Sequence, residues 1–470
     1  MKHKSLVIAP HPDDEINLAG QFIITLQKKN WDVYVLFVTN GDATKKIGNK
    51  RIYEAMNSCK VFGIEEEKVI LLGYPNEWKG NTHLYNCEPD TIIESKLGKQ
   101  ETNSVSEYSE YCYRKWGIHH SFTRKNFKID MKSVILDIMP EMIICPEFDS
   151  HPDHRATSLM FDEIMGEILK EIDDYCPIIF KKYIHEGVWN GPKDYYNAPP
   201  VPTVTQGERF YSGAKHELDS PCFKWMDRLA FSVDANTVTP KLSDNIIYKA
   251  AKKHKLTTAW YEMQRVINSD VVYWLRPSNN IALRATVTSS SGEGKYVNDF
   301  KRYDSNDILS KENYFSENGL CCWKPELNDE EKEIILKFNN EKTIHKIVIF
   351  EDCCSDNHIK RALVCINGEK IYDGELHNLG LGTEIVVSPL KVCDEITVQI
   401  KEWVGNPGIS EIEIYDQVID YENLMNQFSS SSPLNTPPKP IGIFFEKCFF
   451  VIKFLLSFKI MYELKRLINH

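Results

Sequence analysis

The sequence predicts an α/β protein in which a parallel sheet covered by helices is followed by an antiparallel β-sandwich and a C-terminal amphipathic helix. Three observations lead there. Strand-length apolar runs alternate with amphipathic helical segments over roughly the first 275 residues, the pattern of repeated strand-helix-strand units. From Asn280 the runs become short, alternate in polarity and are separated by turn residues, as in a sandwich. The last thirty residues, 441–470, are rich in Phe, Leu and Ile but broken by lysines.

In chain order, residues 5–10 read as a buried strand and 16–29 as a helix with Leu18, Phe22, Ile23 and Leu26 on one face. Residues 32–39 form a second strand ending in Asn40-Gly41-Asp42, 51–62 a helix closed by Gly63, and 68–72 a third strand stopping at Gly73-Tyr74-Pro75-Asn76. The stretch 77–123 is polar, aromatic and weakly periodic, so it holds small elements or a substrate-facing insertion. Helix 128–138, strand 142–145 and a long helix 154–175 complete the alternation. Residues 183–210, with Trp189 and several prolines, read as a surface loop near the site, and 242–267 as helix.

The domains expected are 1–277, 279–418 for the sandwich, a Ser/Pro-rich linker 419–440 and the terminal helix 441–470. Sandwich strands are expected at 281–288, 333–338, 344–350, 362–366, 384–387, 395–400 and 409–415. In the last segment Phe450, Phe454, Phe458 and Tyr462 recur one helical turn apart, while Lys447, Lys453, Lys459, Lys465 and Arg466 interrupt them. Each charge near a bilayer centre costs about 2.5–3.5 kcal/mol, so a helix lying on a membrane surface fits better than a spanning one. A helix docked on protein is the alternative.

The 470 residues carry a formal charge of -11 from scattered Asp and Glu, which leaves no basic field for nucleic acid. Thirteen cysteines without framework spacing, including the pairs Cys321-Cys322 and Cys353-Cys354, suit reduced thiols. Met1-Lys2-His3-Lys4 precedes only a strand-length apolar run, so no secretory signal is read. The expected location is cytoplasmic, peripheral at the cytosolic face of a membrane.

Two motifs carry the chemistry. Ala9-Pro10-His11-Pro12-Asp13-Asp14-Glu15 follows the first strand, and His151-Pro152-Asp153-His154 follows the fourth. In an open α/β sheet both would empty into one crevice at the carboxyl ends of the strands. Three N/O ligands and a water describe a catalytic zinc site, and His11, Asp14 and His154 are the expected ligands. Asp13, adjacent to a ligand but diverging from it, suits a general base for the metal-bound water. His151 suits a donor to the carbonyl oxygen or the leaving amine.

The paired motifs resemble those of the LmbE-like, or PIG-L, zinc de-N-acetylases, and the order of elements across about residues 1–275 is similar too. The resemblance implies a Rossmann-like fold, Zn2+ on His11, Asp14 and His154, Asp13 as base and His151 as the charged stabiliser of the transition state. It also implies hydrolysis of the N-acetyl group of a GlcNAc-type sugar, lipid-linked or part of a glycan. Arg51 matches a position that binds the aglycone in relatives. Asn76 stands where many relatives carry an aspartate that binds a sugar hydroxyl, and Asp149 where some carry a tyrosine that assists the oxyanion. Asp149 would instead orient a histidine. Trp189, with Tyr108, Tyr111, Tyr113 and Trp116, offers rings for stacking on sugar.

Residues 279–418 resemble the discoidin, or galactose-binding-like, sandwiches through Ala282-Leu283-Arg284-Ala285-Thr286-Val287-Thr288, Trp323 and Gly408-Ile409-Ser410-Glu411-Ile412-Glu413-Ile414-Tyr415. The partners expected are an N-acetylated sugar or glycoconjugate and, through 441–470, a membrane surface, with no nucleic acid. Two alternatives stay open: a zinc amidase acting on a soluble glycoside, and a non-catalytic glycan-binding protein on a deacetylase fold.

Overall fold

The computed structural model describes the chain outside residues 1, 45–46, 48, 81, 148–150, 185–201, 204–226, 240, 257–265, 306–307, 310–320 and 432–470. The strands β1 (His3–Ala9), β2 (Trp31–Thr39), β3 (Val69–Tyr74), β4 (Met142–Pro146), β5 (Ile178–Lys182), β6 (Leu229–Ser232) and β7 (Asp270–Leu275) form one sheet. Their order is β3-β2-β1-β4-β5-β7-β6. The first five run parallel, and β7 and β6 add an antiparallel edge. The chain fills one side of β1 and then crosses to β4 on the other, so the switch point lies between those two strands. Val7 pairs with Ile144, so β1 and β4 end level and deliver the two motifs to the same crevice.

Helices α1 (Asp14–Lys28), α2 (Lys50–Val61), α3 (Tyr111–Trp116), α4 (Arg124–Ile138), α5 (Pro152–Glu171) and α6 (Ile246–Ala251) accompany the sheet. Leu18, Phe22, Ile23 and Leu26 of α1 are all buried, as their spacing requires. Thr123 caps α4 by accepting the Asn126 N–H at 3.1 Å, which starts that helix one turn ahead of the predicted residue 128. The predicted helix over 242–267 is a correction: α6 ends at Ala251, and residues 252–256 are turn or irregular.

The second domain is an antiparallel sheet of β8 (Thr286–Ser289), β9 (Glu333–Glu351), β10 (His358–Ile366), β11 (Glu369–Gly374), β12 (Thr383–Val404) and β13 (Ile409–Tyr415). Strands expected as separate pieces at 333–338 and 344–350 are one strand, as are 384–387 and 395–400. Register shifts between Val386 and Lys391 and between Cys393 and Glu395 let each long strand continue past its break in alternation. The buried set on β12 accordingly changes from Ile385, Val387 and Cys393 to Ile396, Val398 and Ile400.

A further helix, α7 (Tyr421–Phe428), lies in the stretch expected to be linker. Its Phe428 is buried against Phe22, Trp31 and Phe180 of the first domain, with ring centroids 5.5–6.4 Å apart. The terminal helix predicted over 441–470 lies outside the described residues, and among those described no helix is long and apolar enough to cross a membrane.

Candidate active site

The first motif begins where β1 ends. The Pro10 carbonyl accepts from both the N–H and the hydroxyl of Thr39 at 2.9 Å, which ties the turn to the end of β2. The Asp14 carboxylate then accepts the His11 N–H at 2.9 Å, and the chain enters α1. Asp13, the residue before the helix, holds φ 113°, a left-handed conformation that costs a non-glycine residue about 1–3 kcal/mol.

Neighbours over-determine that conformation. Glu15 Oε2 accepts the Asp13 N–H at 2.9 Å, while Arg51 donates to the Pro12 carbonyl and pairs with Asp13 Oδ1 at 2.9 Å. Glu15 is itself held, because its Oε1 accepts from Ser58 Oγ at 2.6 Å and meets His254 Nε2 at 2.8 Å. Gly41 makes room for Arg51, since a Cβ there would lie 2.8 Å from Arg51 Cδ.

The second motif starts at His151, the residue that caps α5. Its Nδ1 accepts the Asp153 N–H at 3.2 Å, a bond that needs a lone pair on Nδ1 and so leaves the proton on Nε2. In this geometry Nε2 is the His151 nitrogen left to donate. Its side chain is 37% exposed, against 5–7% for those of His11, Asp14 and His154, so His151 is the group of the set that faces solvent.

Three donor atoms meet in this crevice. His11 Nδ1 is 3.0 Å from Asp14 Oδ2 and 3.1 Å from His154 Nε2, and the last two are 3.2 Å apart. Ligand atoms about 2.0–2.1 Å from a tetrahedral zinc lie about 3.3 Å from one another, so this triangle fits such an ion with little movement. His151 also comes within 4.8 Å of both other histidines, but the closer Asp14 completes the triangle. Elsewhere Cys112, part-buried His120 and Asp130 bring donor atoms within 4.8 Å of one another, and these are already bonded: His120 to Asp130 at 2.7 Å, Asp130 to the Tyr74 hydroxyl at 2.9 Å, and Cys112 to Thr102 at 3.0 Å.

The electrostatics separate the two adjacent carboxylates. Burial pushes Asp14 up, but His154 and His11 outweigh it and hold its pKa well below the usual range. Burial likewise raises Asp13, and there Arg51 offsets it only in part, so its pKa stays above the ordinary value. Neighbouring acids driven in opposite directions suit one permanent anion and one proton acceptor. Burial lowers and the carboxylates of Asp14 and Asp153 raise the His11 pKa, the latter prevailing.

Sequence reasoning left Asp153 without a role. Its Oδ2 meets His11 Nε2 at 2.9 Å, which fixes the His11 proton on Nε2 and leaves Nδ1 a lone pair inside the triangle. Asp149, expected to orient a histidine, lies outside the described residues, as does Trp189. Arg51, expected at the aglycone, is buried in its pairing with Asp13. Asn76 donates its N–H to Asp42 Oδ1 at 3.0 Å. Of the aromatic insertion, Tyr111 is buried while Tyr113 and Trp116 stack on His119 and His120, with centroids 4.7 and 5.0 Å apart.

The strand-end crevice thus gathers two histidines and an aspartate around one point, with a second aspartate turned aside to Arg51. Residues 6–165 match the model of the PIG-L family, described as GlcNAc-PI de-N-acetylase, and the N-terminal region of the chain is a PIG-L (LmbE-like) domain. No curated protein matches the chain.

Among solved structures, N,N'-diacetylchitobiose deacetylase from Pyrococcus horikoshii is similar at 16% identity and TM-score 0.26, over 40% of this chain and 62% of that one. The family 32 carbohydrate-binding module of Clostridium perfringens NanJ, solved with galactose, is similar at 14% identity and TM-score 0.21, over 28% of this chain and 92% of that one. A fucose-binding module from Streptococcus pneumoniae is similar at 12% identity and TM-score 0.24, over 30% of this chain and 98% of that one. At these scores the likenesses bear on neither substrate nor mechanism.

Proposed function

We propose that the chain is a zinc-dependent hydrolase that removes the acetyl group from an N-acetylated amino sugar of the GlcNAc type. One observation carries the reading: the His11, Asp14 and His154 donor atoms close a triangle of 3.0–3.2 Å at the switch point, with Asp13 alongside it in the pairing with Arg51. A zinc ion bound there would bring the pKa of its water to about 7 and draw charge from the acetyl oxygen.

The protein's own groups do the rest. Asp13 takes the proton of the attacking water and returns it to the departing amine. His151, its Nε2 proton fixed by the helix cap, donates to the carbonyl oxygen as that atom gains charge. Asp153 holds His11 in the tautomer that ligation needs.

A lipid-linked sugar at the cytosolic face of a membrane is the finer reading, motivated by the Phe and Lys spacing of residues 441–470. Liposome sedimentation of the full chain against one ending at Ser431 tests it, and equal partitioning would remove it. The activity is tested by acetate release from N-acetylglucosaminides by the zinc-loaded full chain and by Asp13→Ala. Release by the former and a fall of about 10²–10⁴-fold in the latter are expected. Equal release, or none from either, would overturn the reading.

A further inference from the structure

The β-domain reaches the metal site through one histidine that no motif announces. His83, 5% exposed, lies in the insertion after β3 and caps a 3-10 turn at Leu84–Asn86. Its Nδ1 accepts the Tyr85 N–H at 3.1 Å, which leaves Nε2 as a donor, and Nε2 meets Asp153 Oδ1 at 2.9 Å. The other oxygen of Asp153 meets His11 Nε2. One carboxylate therefore bridges His83 and the expected ligand His11.

The turn that carries His83 is gripped from the other side by the β-domain. The Tyr85 hydroxyl donates to Asp304 Oδ1 at 3.0 Å, and Asn86 Nδ2 donates to the Ser305 carbonyl at 3.1 Å. The Ile308 N–H donates back to Asn86 Oδ1 at 3.0 Å. Lys301 fixes Asp304 through its second oxygen at 3.0 Å, and Phe300, Tyr303 and Ile308 share one apolar cluster with Tyr85 and Phe161.

We infer that His83 is a positioning residue for the metal ligand His11, and that Lys301, Asp304, Ser305 and Ile308 of the β-domain set its place. The domain thus braces the catalytic centre from within the same chain, whatever its surface binds. This rests on the zinc reading above. Outer partners of ligating histidines are commonly worth 10–100-fold in metal affinity.

Zinc affinity, measured on the full chain by competition with a chelator, reads this without turnover. His83→Ala is expected to weaken zinc about tenfold. His83→Gln, which keeps an N–H for Asp153, is expected to recover most of that, and Tyr85→Phe with Asn86→Ala to weaken zinc severalfold. Arg284→Ala is the control, because Arg284 joins the β-domain to the far end of α5 through the Leu169 and Ile172 carbonyls. It is expected to leave zinc affinity unchanged. Wild-type affinity in both His83→Ala and the Tyr85/Asn86 variant, or an equal loss in Arg284→Ala, would overturn the inference. Failure of the wild-type chain itself to bind zinc would overturn the zinc reading, and this one with it.

Discussion

Asp13 shows how much of this site depends on backbone shape. With φ at 113°, its carboxylate leaves the line of Asp14 and falls to Arg51. Because burial raises Asp13 and Arg51 opposes that, removing the guanidinium should raise the pKa further. A base works only when deprotonated, so in Arg51→Ala the acidic limb of the kcat/KM profile is expected to move to higher pH, and an unmoved limb would contradict the role given to Arg51. The meeting of His11, Asp14 and His154 was legible because each sits in a local motif after a strand. The pairing of Arg51 with Asp13 was not legible because it depends on a dihedral angle no motif encodes, and His83 and His254 went unread because their partners lie 70 and 239 residues away.

Strand ends and short helices resisted reading for related reasons. Strand β5 ends in Lys181 and Lys182, which look like surface, yet both are buried, Lys181 in a pairing with Asp162 at 2.7 Å. Apolar periodicity cannot announce a buried lysine whose partner lies on another element. Helix α7 was missed although Leu424, Met425 and Phe428 recur at helical spacing, because two turns beside a Ser/Pro-rich stretch are a short signal; Leu424 and Met425 pack with Phe428 on the first domain. Phe428→Ala, which empties a packed ring site, is expected to cost about 3–5 kcal/mol in denaturant unfolding. A loss below 1 kcal/mol would mean that α7 contributes little to the fold.

The two domains are joined through buried charge. Glu413 receives Arg302 in a bidentate pair at 2.8 and 2.9 Å and also pairs with Arg276 from the end of the first domain. Burial raises its pKa, but Arg302 and Arg276 prevail and lower it from 4.5 to about 2. A depressed carboxylate stabilises the fold above its unfolded pKa, so this contribution, about 3 kcal/mol, is complete above pH 4.5 and fades as pH falls toward about 2. Glu413→Gln should flatten that part of the stability curve and cost about 3–5 kcal/mol at neutral pH, because two arginines lose their anion. An unchanged acid limb in thermal unfolding would contradict the clamp. The alternation of elements made two domains legible, but not their union, since Arg276 and Glu413 gain meaning only once they meet.

Anomalous diffraction at the zinc edge from crystals of the full chain tests the central claim most directly. One peak is expected about 2.0–2.2 Å from His11 Nδ1, His154 Nε2 and an Asp14 oxygen, with Asp13 outside bonding distance. Zinc found only among Cys112, His120 and Asp130, or none in zinc-soaked crystals, would contradict it.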